Sequence, residues 1–406
     1  MATVHPFHAL RPVPEKAERV ACVPYDVIST AEARALAQGN PDSFLHVIRP
    51  EIDLPEGTDE HASAVYQKGA ENLRDYAESA VSIQESTPAL YVYRLVMDGR
   101  AQTGVFGCVA VAEYDDGTIL KHEKTRPDKE TDRTKHILAQ RAHAEPVMLT
   151  YRDHDGVDAL VDAAMQHPAL YDFTAPDGVR HTIWKAPDPS ALVAAFVGVD
   201  ALYVADGHHR CKAASRAWHD LVESGLDEGM PEAAFFPAVL FPMGQMKILA
   251  YNRVVRRLPV PRDAFLDALR GRLPVRDGVG PVPPEPGTVH VYLGGGTWHA
   301  VPLPESTRDG AADRLDVARL GEHLLEPLLG ITDPRRDKNI GFVGGIRGTE
   351  ALEQQVDAGE AALAISMYPT AIEELVDVSD AGQLMPPKST WFEPKLRSGL
   401  LVHLFD

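Results

Sequence analysis

The sequence predicts an α+β protein in which mixed sheets are flanked by helices. Short apolar or alternating segments typical of strands recur along the chain, and amphipathic segments typical of helices separate only some of them. Because the two kinds of segment do not alternate strictly, mixed sheets are favoured over a doubly wound parallel sheet. A length of 406 residues suggests two or three domains. We expect an N-terminal α/β lobe at 1–100, a core at 101–274 and a C-terminal α+β lobe at 289–406.

Each element is predicted from its own residues. Strands are expected at 104–114, 118–122, 201–205, 236–241, 246–255, 289–293, 340–343 and 363–368. Helices are expected at 62–80, 128–142, 190–197, 210–222, 262–271, 315–328, 349–357 and 370–378. Turn and cap residues predict a hairpin at Asp115-Asp116-Gly117, a capping box from Thr370 to Glu373, and a linker or exposed loop at 275–288.

Composition excludes several classes of protein. With 44% hydrophobic and 24% charged residues, the chain is globular and not disordered. Its 59 acids and 40 bases give a formal charge of −19, which argues against a nucleic-acid binder but not against a local anion pocket. No apolar run is long enough to span a membrane, and the N-terminus lacks signal-peptide features. The three separate cysteines, Cys22, Cys108 and Cys211, fit reduced thiols, so we expect a cytoplasmic protein; an oligomer is compatible with the sequence.

The most specific pattern is DGHHR, residues 206–210, between a predicted strand and a predicted helix. A helix N-terminus offers N–H groups and a partial positive charge to an anion. Gly207 permits a tight turn, and the two histidines and Arg210 add donors. Asp206 is suited to capping the helix or to holding a metal ion or a hydroxyl group. The pattern predicts an anion site, and a surface turn is the alternative.

The second candidate is KHEKTR, residues 121–126. Residues 121–141 contain seven basic and four acidic residues. Their local net charge of +3 is opposite in sign to the net charge of the whole chain. Among these cations Glu123 is expected to stay ionised, as a general base or a magnesium ligand. A hairpin and helix with solvated charges is the alternative.

The third candidate is MPPKSTWFEPK, residues 385–395. Prolines stiffen the backbone around Lys388, Ser389 and Thr390, and Lys395 follows closely. One ammonium and two hydroxyls in a fixed loop suit phosphate, although the Walker A spacing is absent. A purely structural loop is the alternative.

Weaker signals come from three further places. In PYDVIS, residues 24–29, Ser29 or Thr30 is expected to cap the next helix and Asp26 is a candidate to face a pocket, although the segment taken alone favours a structural role. The N-terminus of the helix after DGHHR would lower the pKa of Cys211, although a packing role is preferred for this thiol. Three successive glycines at 294–296 predict a hairpin tip.

In this order, PYDVIS, HEKT (residues 122–125), DGHHR and PPKST resemble a large prokaryotic "domain of unknown function" family. DGHHR and the Ala-rich helix after it are also similar to the nucleotide-binding motif of ParB-like proteins, and more closely to that of free serine kinases. The resemblance implies that the predicted α+β fold contains a ParB/sulfiredoxin-like nucleotide-binding core.

In free serine kinases a glutamate upstream of this motif activates the serine hydroxyl, and the motif holds nucleotide phosphates and magnesium. The resemblance therefore implies catalytic roles for Glu123, Asp206 and His209, with Asp206 and Glu123 also candidate Mg²⁺ ligands. The residues expected to contact nucleotide phosphates are Gly207, His208, His209, Arg210, Lys124, Thr125, Lys388, Ser389, Thr390 and Lys395. The residues expected to contact the substrate are Asp26, His122 and Asn252.

The preferred interpretation is a phosphotransferase that moves a phosphoryl group from ATP or ADP, with magnesium, to a small hydroxyl compound. The resemblance favours free L-serine as the acceptor. Phosphoryl transfer depends mainly on positioning and charge stabilisation, which cations, hydroxyls and a helix N-terminus supply. The alternatives are a non-catalytic nucleotide-binding clamp or regulator of ParB-like type and a phosphoserine hydrolase.

Overall fold

Apolar and alternating segments form the strands of the structure, a computed structural model that describes residues 2–405. The strands in chain order are β1 Val4–His5, β2 Ala9–Pro12, β3 Ser82–Gln84, β4 Tyr91–Met97, β5 Arg100–Ala110, β6 Ile119–Leu120, β7 Ala142–His143, β8 Val147–Tyr151, β9 Tyr171–Thr174, β10 Arg180–Lys185, β11 Leu202–Asp206, β12 Phe235–Pro242, β13 Ile248–Leu249, β14 Tyr251–Val255, β15 Arg276–Val279, β16 Thr288–Tyr292, β17 Trp298–Pro302, β18 Ile340–Gly344, β19 Leu363–Ser366, β20 Trp391–Phe392 and β21 Val402–Leu404.

Amphipathic segments form the helices. In chain order they are α1 Ala17–Val20, α2 Thr30–Ala37, α3 Leu45–Ile48, α4 Ser63–Glu78, α5 Val111–Asp116, α6 Pro127–Gln140, α7 Asp155–Ala164, α8 Pro189–Phe196, α9 His208–Glu223, α10 Arg262–Arg272, α11 Asp316–Leu320, α12 Glu326–Leu329, α13 Glu350–Asp357 and α14 Ile372–Asp380. Among residues 2–405 no helix is both long and apolar enough to cross a membrane.

The chain divides into two units. Unit 1 consists of Met1–Lys121, Thr125–Met246 and Pro394–Asp406, and unit 2 of His122–Lys124 and Lys247–Glu393. The expected three-part division at 1–100, 101–274 and 289–406 stays a prediction.

Unit 1 contains a nine-stranded sheet in the order β6-β11-β8-β12-β5-β4-β10-β9, with β1 paired to β5. The pairs β6–β11 and β8–β12 are parallel, whereas β5 pairs antiparallel with β4 and β12. A four-stranded sheet, β3-β2-β21-β7, completes the strands of this unit. Parallel and antiparallel pairs in one sheet, with helices in the same unit, confirm the predicted α+β class with mixed sheets.

Unit 2 contains a six-stranded sheet in the order β15-β17-β16-β19-β14-β18 and a two-stranded pair, β13-β20. Val255, Val289 and Ile365 of the larger sheet are buried in one apolar cluster with Leu320 and Leu324. As predicted, glycines 294–296 lie at the turn between β16 and β17, and all three have positive φ.

The hairpin predicted across Asp115-Asp116-Gly117 is wrong. Residues 111–116 form α5, and Gly117, with φ 88°, ends this helix in the left-handed conformation. The carboxylate of Asp116 accepts a hydrogen bond from the Thr118 N–H at 2.8 Å. The same Asp-Gly signal therefore terminates a helix, and β6 pairs in parallel with β11 instead of turning back on β5.

Other local predictions need smaller corrections. The expected strand at 246–255 is divided into β13 and β14, and the segment 275–288 contains β15. The expected helix at 315–328 is interrupted by a π-helical turn at Gly321–Leu325. The capping box of α14 was predicted from Thr370 to Glu373. The Glu374 carboxylate instead accepts a hydrogen bond from the Ala371 N–H at 2.8 Å, so the contact lies one position later.

The predicted cap of α2 is confirmed. Ser29 accepts a hydrogen bond from the Glu32 N–H, and Glu32 reaches back to the Ser29 N–H at 2.8 Å. This capping box fixes the start of the helix that follows PYDVIS.

Candidate functional site

The DGHHR segment forms a turn between strand and helix in unit 1, as predicted. β11 ends at Asp206, and α9 begins at His208 after Gly207. Gly207 has φ 98°, and a Cβ there would lie 3.1 Å from both the Arg210 Nε and the Val147 Cγ1. Both its backbone conformation and its surroundings therefore favour glycine. The turn leaves the N-terminus of a 16-residue helix directly after a sheet strand, where its first N–H groups point along the helix axis.

Asp206 is shared by two cations of unit 1. Its carboxylate lies 3.6 Å from the Lys395 Nζ and 3.4 Å from the Arg210 Nη2. Burial alone would raise the pKa of Asp206, but Lys395 and Arg210 outweigh burial and hold this pKa below its ordinary value. Asp206 is therefore an anion at neutral pH, and one carboxylate faces two positive charges at the start of α9.

The two histidines of the motif have different surroundings. His208 is buried, and burial lowers its pKa to about 3, so its ring is neutral at neutral pH. His209 is half-buried, and its Nε2 accepts a hydrogen bond from the Arg126 N–H at 3.1 Å. Arg126 immediately precedes α6, so His209 connects the first turn of α9 to the start of α6. A catalytic or phosphate-binding role for either histidine stays a prediction.

Arg210 is buried and bonded within unit 1. Its Nη1 donates to the Pro146 carbonyl, and its Nη2 contacts Asp206. Burial alone would lower the pKa of Arg210, but Asp26, Asp206 and Glu145 together raise this pKa instead. The guanidinium thus holds the turn to the strand β8 that follows Pro146. Phosphate binding by Arg210 stays a prediction, and Asp26 lies close enough to influence this charge.

Sequence reasoning missed Glu145 and Arg133, which lie beside Arg210. The Glu145 carboxylate accepts from the Tyr25 N–H at 3.1 Å and lies 3.8 Å from the Arg133 Nη1. The Arg133 guanidinium in turn lies 4.1 Å from the centre of the Tyr25 ring. The only carboxylate in segment 142–151, which otherwise contains no acid, lysine or arginine, was the available signal for Glu145.

These groups line a small cavity in unit 1. Its volume is about 40 Å³, and its polar lining comes mainly from Arg133, His136, Glu145 and Arg210. A cavity of this size has room for a few water molecules but not for a nucleotide. Arg133 and Asp132 are themselves buried and paired at 2.6 Å, so the alternative of fully solvated charges on α6 is wrong for this part of the helix.

In unit 2 the structure brings His122 to the PPKST loop. The Met385 N–H donates to the His122 carbonyl at 2.7 Å, and the Thr390 Oγ1 lies 3.5 Å from the His122 Nε2. The buried Ser389 donates its hydroxyl to the Pro386 carbonyl at 2.7 Å. The Ser389 hydroxyl therefore stabilises the loop itself.

Lys388 and Asn252 also contact other residues of unit 2. Lys388 has φ 59°, an unusual conformation for a residue with a side chain, and its Nζ lies 5.4 Å from the centre of the Tyr251 ring. The buried Asn252 accepts a hydrogen bond from the Met367 N–H at 3.0 Å. That bond joins β14 to the end of β19, which gives Asn252 a structural function; substrate binding by Asn252 stays a prediction.

Of the remaining predicted residues, Glu123 is half-buried and Lys124 exposed in unit 2. In unit 1 the Thr125 hydroxyl donates to the Glu130 carboxylate at 2.6 Å, at the start of α6. Cys211 is buried, and burial raises its pKa to about 12. The expected lowering of the thiol pKa is therefore wrong, and the preferred packing role is confirmed.

Asp206 was also predicted to bind magnesium. Mg²⁺ prefers oxygen ligands and is commonly held by one or two carboxylates together with substrate phosphates. Asp206 offers such a carboxylate, but two cations already balance its charge. The donor set fits Mg²⁺ only together with bound phosphates, whose negative charge the metal ion would neutralise.

The solved structures to which the chain is similar include the following three. It shares 13% identity and a TM-score of 0.35 with free serine kinase in complex with AMP, over 73% of this chain and 92% of that chain. For SbnI with a C-terminal truncation from Staphylococcus aureus, the identity is 16% and the TM-score 0.38, over 74% and 87%. For a conserved hypothetical protein from Pyrococcus furiosus, the identity is 14% and the TM-score 0.34, over 73% of this chain and 95% of that chain.

Comparison with curated proteins gives no match. A family model described as "Protein of unknown function (DUF1015)" matches residues 4–318, which is well over half of the chain. The chain therefore belongs to the DUF1015 family.

Proposed function

We propose that the chain is a nucleotide-dependent phosphotransferase whose phosphate site lies at the N-terminus of α9. The observation that carries this proposal is the Lys395–Asp206 ion pair, 3.6 Å long, at the turn where Gly207 opens α9. Lys395 is 13% exposed, so its ammonium acts in surroundings that water screens only partly. A cation beside a helix N-terminus is a favourable place for a phosphate group.

The charge arrangement favours an anion over a bare cation. Lys395 and Arg210 share the single Asp206 carboxylate, so an incoming phosphate would contact Lys395 without separating Asp206 from its other partner. The neutral ring of His208 adds no charge, but it can donate one hydrogen bond to a phosphate oxygen. Phosphates bound here would complete an oxygen ligand set for magnesium with Asp206.

The proposed reaction transfers the terminal phosphoryl group of the nucleotide. The acceptor hydroxyl oxygen forms a new bond to phosphorus, the bond from phosphorus to the nucleotide oxygen breaks, and the hydroxyl proton passes to a carboxylate. The resemblance to free serine kinases names Glu123 as that carboxylate and free L-serine as the acceptor. Lys395 would neutralise charge on the transferred group, which is the main requirement of phosphoryl transfer.

The test incubates the full chain with ATP or ADP, Mg²⁺ and L-serine, and measures phosphoserine by mass spectrometry, with other small hydroxyl compounds in parallel. We expect Lys395→Met to weaken nucleotide binding about tenfold or more, since a charge-assisted hydrogen bond is lost. Lys185→Met is the matched control because Lys185 forms a 2.8 Å ion pair with Glu85 elsewhere in unit 1.

Two outcomes separate this proposal from its alternatives. Tight nucleotide binding without phosphorylation of any hydroxyl compound would favour a non-catalytic clamp or regulator. Release of phosphate from phosphoserine without nucleotide would favour a phosphoserine hydrolase. Nucleotide affinity that is equal in Lys395→Met and Lys185→Met would contradict the proposed phosphate site.

A further inference from the structure

A second cation, Arg253 of β14, is buried in unit 2. Its side chain is 2% exposed. The guanidinium donates to the Tyr251 carbonyl and, at 3.0 Å, to the Lys388 carbonyl. Among the described residues, no carboxylate lies within ion-pair distance of Arg253. Burial lowers its pKa to about 10, which still leaves it charged at neutral pH.

Such a charge is costly unless something compensates for it. Buried charges are normally paired, because removing an ion from water costs several kcal/mol. The two carbonyl oxygens use only part of the five N–H donors of a guanidinium. The Phe342 ring, whose centre lies 5.7 Å from the guanidinium carbon, adds a weak cation–π contact. A bound anion is the partner that would compensate for the charge.

Arg253 lines a cavity large enough for such a partner. The cavity has a volume of about 350 Å³, within the range of small-molecule sites. Its walls come from α11, the π-helical turn at Gly321–Leu325, the Phe342 ring and the apolar and proline residues at 384–387. π-helical turns are rare and occur frequently at functional sites, so the turn is a second, independent feature of this cavity.

Acidic residues also line the cavity, but the structure gives two of them other partners. Glu322 accepts hydrogen bonds from the Ser306 and Thr307 hydroxyls at 2.7 and 2.5 Å. Asp313 lies 3.8 Å from the Arg308 guanidinium. These contacts direct Glu322 and Asp313 to their own neighbours, whereas among the described residues Arg253 contacts carbonyl groups and the Phe342 ring.

We propose that the unit 2 cavity binds a small organic anion, whose carboxylate or phosphate pairs with Arg253 while its apolar body packs on Phe342 and Met385. The cavity lies in unit 2, whereas the α9 turn of the proposed phosphate site belongs to unit 1. Arg is suited to both head groups because its planar fork matches their oxygen atoms.

The test titrates the full chain with phenyl phosphate, benzoate and benzamide, which share a ring and differ in the head group. Binding is measured by calorimetry and by the shift in Tm. We expect one or both anions to bind and benzamide not to bind, and the stronger anion identifies the preferred head group. Absence of binding by both anions, or equal binding of benzamide, would overturn the proposal.

Variants locate the binding. Arg253→Met should weaken the anion about tenfold or more. Because this variant could unfold, Gly321→Leu provides a second test: a Cβ at Gly321 meets no atom within 4 Å, and its φ of −56° suits any residue. Gly321→Leu should fill the cavity and abolish binding, whereas Gly271→Leu, at an equally open helical position of α10, should bind normally.

The same titration separates this proposal from the proposed phosphotransferase. Gly321→Leu should lose benzoate binding and keep the nucleotide affinity of the unchanged protein. Normal anion binding by either Arg253→Met or Gly321→Leu would show that the ligand lies elsewhere.

Discussion

Replacing Gly207 by alanine tests whether the β11–α9 turn has the geometry described above. Gly207 has φ 98°, and an added Cβ would lie 3.1 Å from the Val147 Cγ1 and the Arg210 Nε. Gly225, just after the other end of α9, has φ 68°, and an added Cβ there would meet nothing within 4 Å. The two alanine variants therefore share a left-handed backbone and differ in the contacts of the new methyl group.

The expected magnitudes follow from these contacts. A left-handed alanine costs roughly 1–2 kcal/mol, and the stiffer unfolded chain returns about 0.4–1 kcal/mol. These two effects apply to both variants and leave Gly225→Ala destabilised by about 0–1.6 kcal/mol. Crowding of Val147 and Arg210 adds about 1–3 kcal/mol to Gly207→Ala alone, because the new methyl group must displace packed neighbours.

The assay is urea unfolding of the full chain, followed by intrinsic fluorescence. We expect Gly207→Ala to lower the free energy of unfolding by about 1–3 kcal/mol more than Gly225→Ala does. It should also weaken nucleotide binding, since displacement of Arg210 alters its contact with Asp206. Equal destabilisation by the two variants would refute the close approach at Gly207 and with it the geometry of the turn.

Three further predictions concern single residues. Glu123→Gln should abolish turnover and leave nucleotide affinity nearly unchanged in kinetic and binding assays, if Glu123 is the base; equal losses would indicate a structural or metal-binding role. Burial lowers the pKa of His143 to about 3. The unfolded chain then takes up a proton near pH 6.5 that the folded chain does not, so stability falls as the pH drops below this value, by up to about 1.4 kcal/mol per pH unit. In urea titrations between pH 7 and 5, His143→Gln should flatten this slope, and the exposed His8→Gln should not. Burial raises the pKa of Glu145, although Arg210 and Arg133 oppose this effect. The unchanged protein should therefore lose stability relative to Glu145→Gln as the pH rises toward that pKa. A difference in the free energy of unfolding that does not change with pH would contradict the prediction.

Local signals predicted the elements around the site, whereas distant contacts were beyond the reach of sequence reasoning. The strand, glycine and helix of DGHHR are determined by neighbouring residues, and the buried Ala213, Ala214 and Ala217 mark the packed face of α9. The Asp-Gly signal at 116–117 was misinterpreted because the same residues can close a hairpin or end a helix. Which of these occurs depends on partners of β5 more than 100 residues away, in β12.

The same limit applies to the charged residues of the site. That Arg210 lies near a helix N-terminus follows from its sequence neighbours, but its bond to the Pro146 carbonyl joins residues 64 positions apart. Sequence alone therefore could not distinguish an arginine that is available to phosphate from one that holds the fold together. Arg253 shows the converse, because nothing in Tyr251-Asn252-Arg253 indicates that its charge is buried beside a cavity.

An overall charge of −19 is compatible with the two proposed anion sites because the charges act over different distances. Charges in water are screened by salt beyond about 8 Å, so the acidic excess of a surface has little effect on a buried group. Lys395 and Arg253 are 13% and 2% exposed, and their fields act at short range where water is scarce. Affinity for an anion therefore depends on which cations are buried and how completely acids already balance them, and not on the net charge of the chain. By that criterion a bound anion would stabilise Arg253 more than Arg210. Arg210 lies beside Asp206, whereas Arg253 has no acidic partner among the described residues.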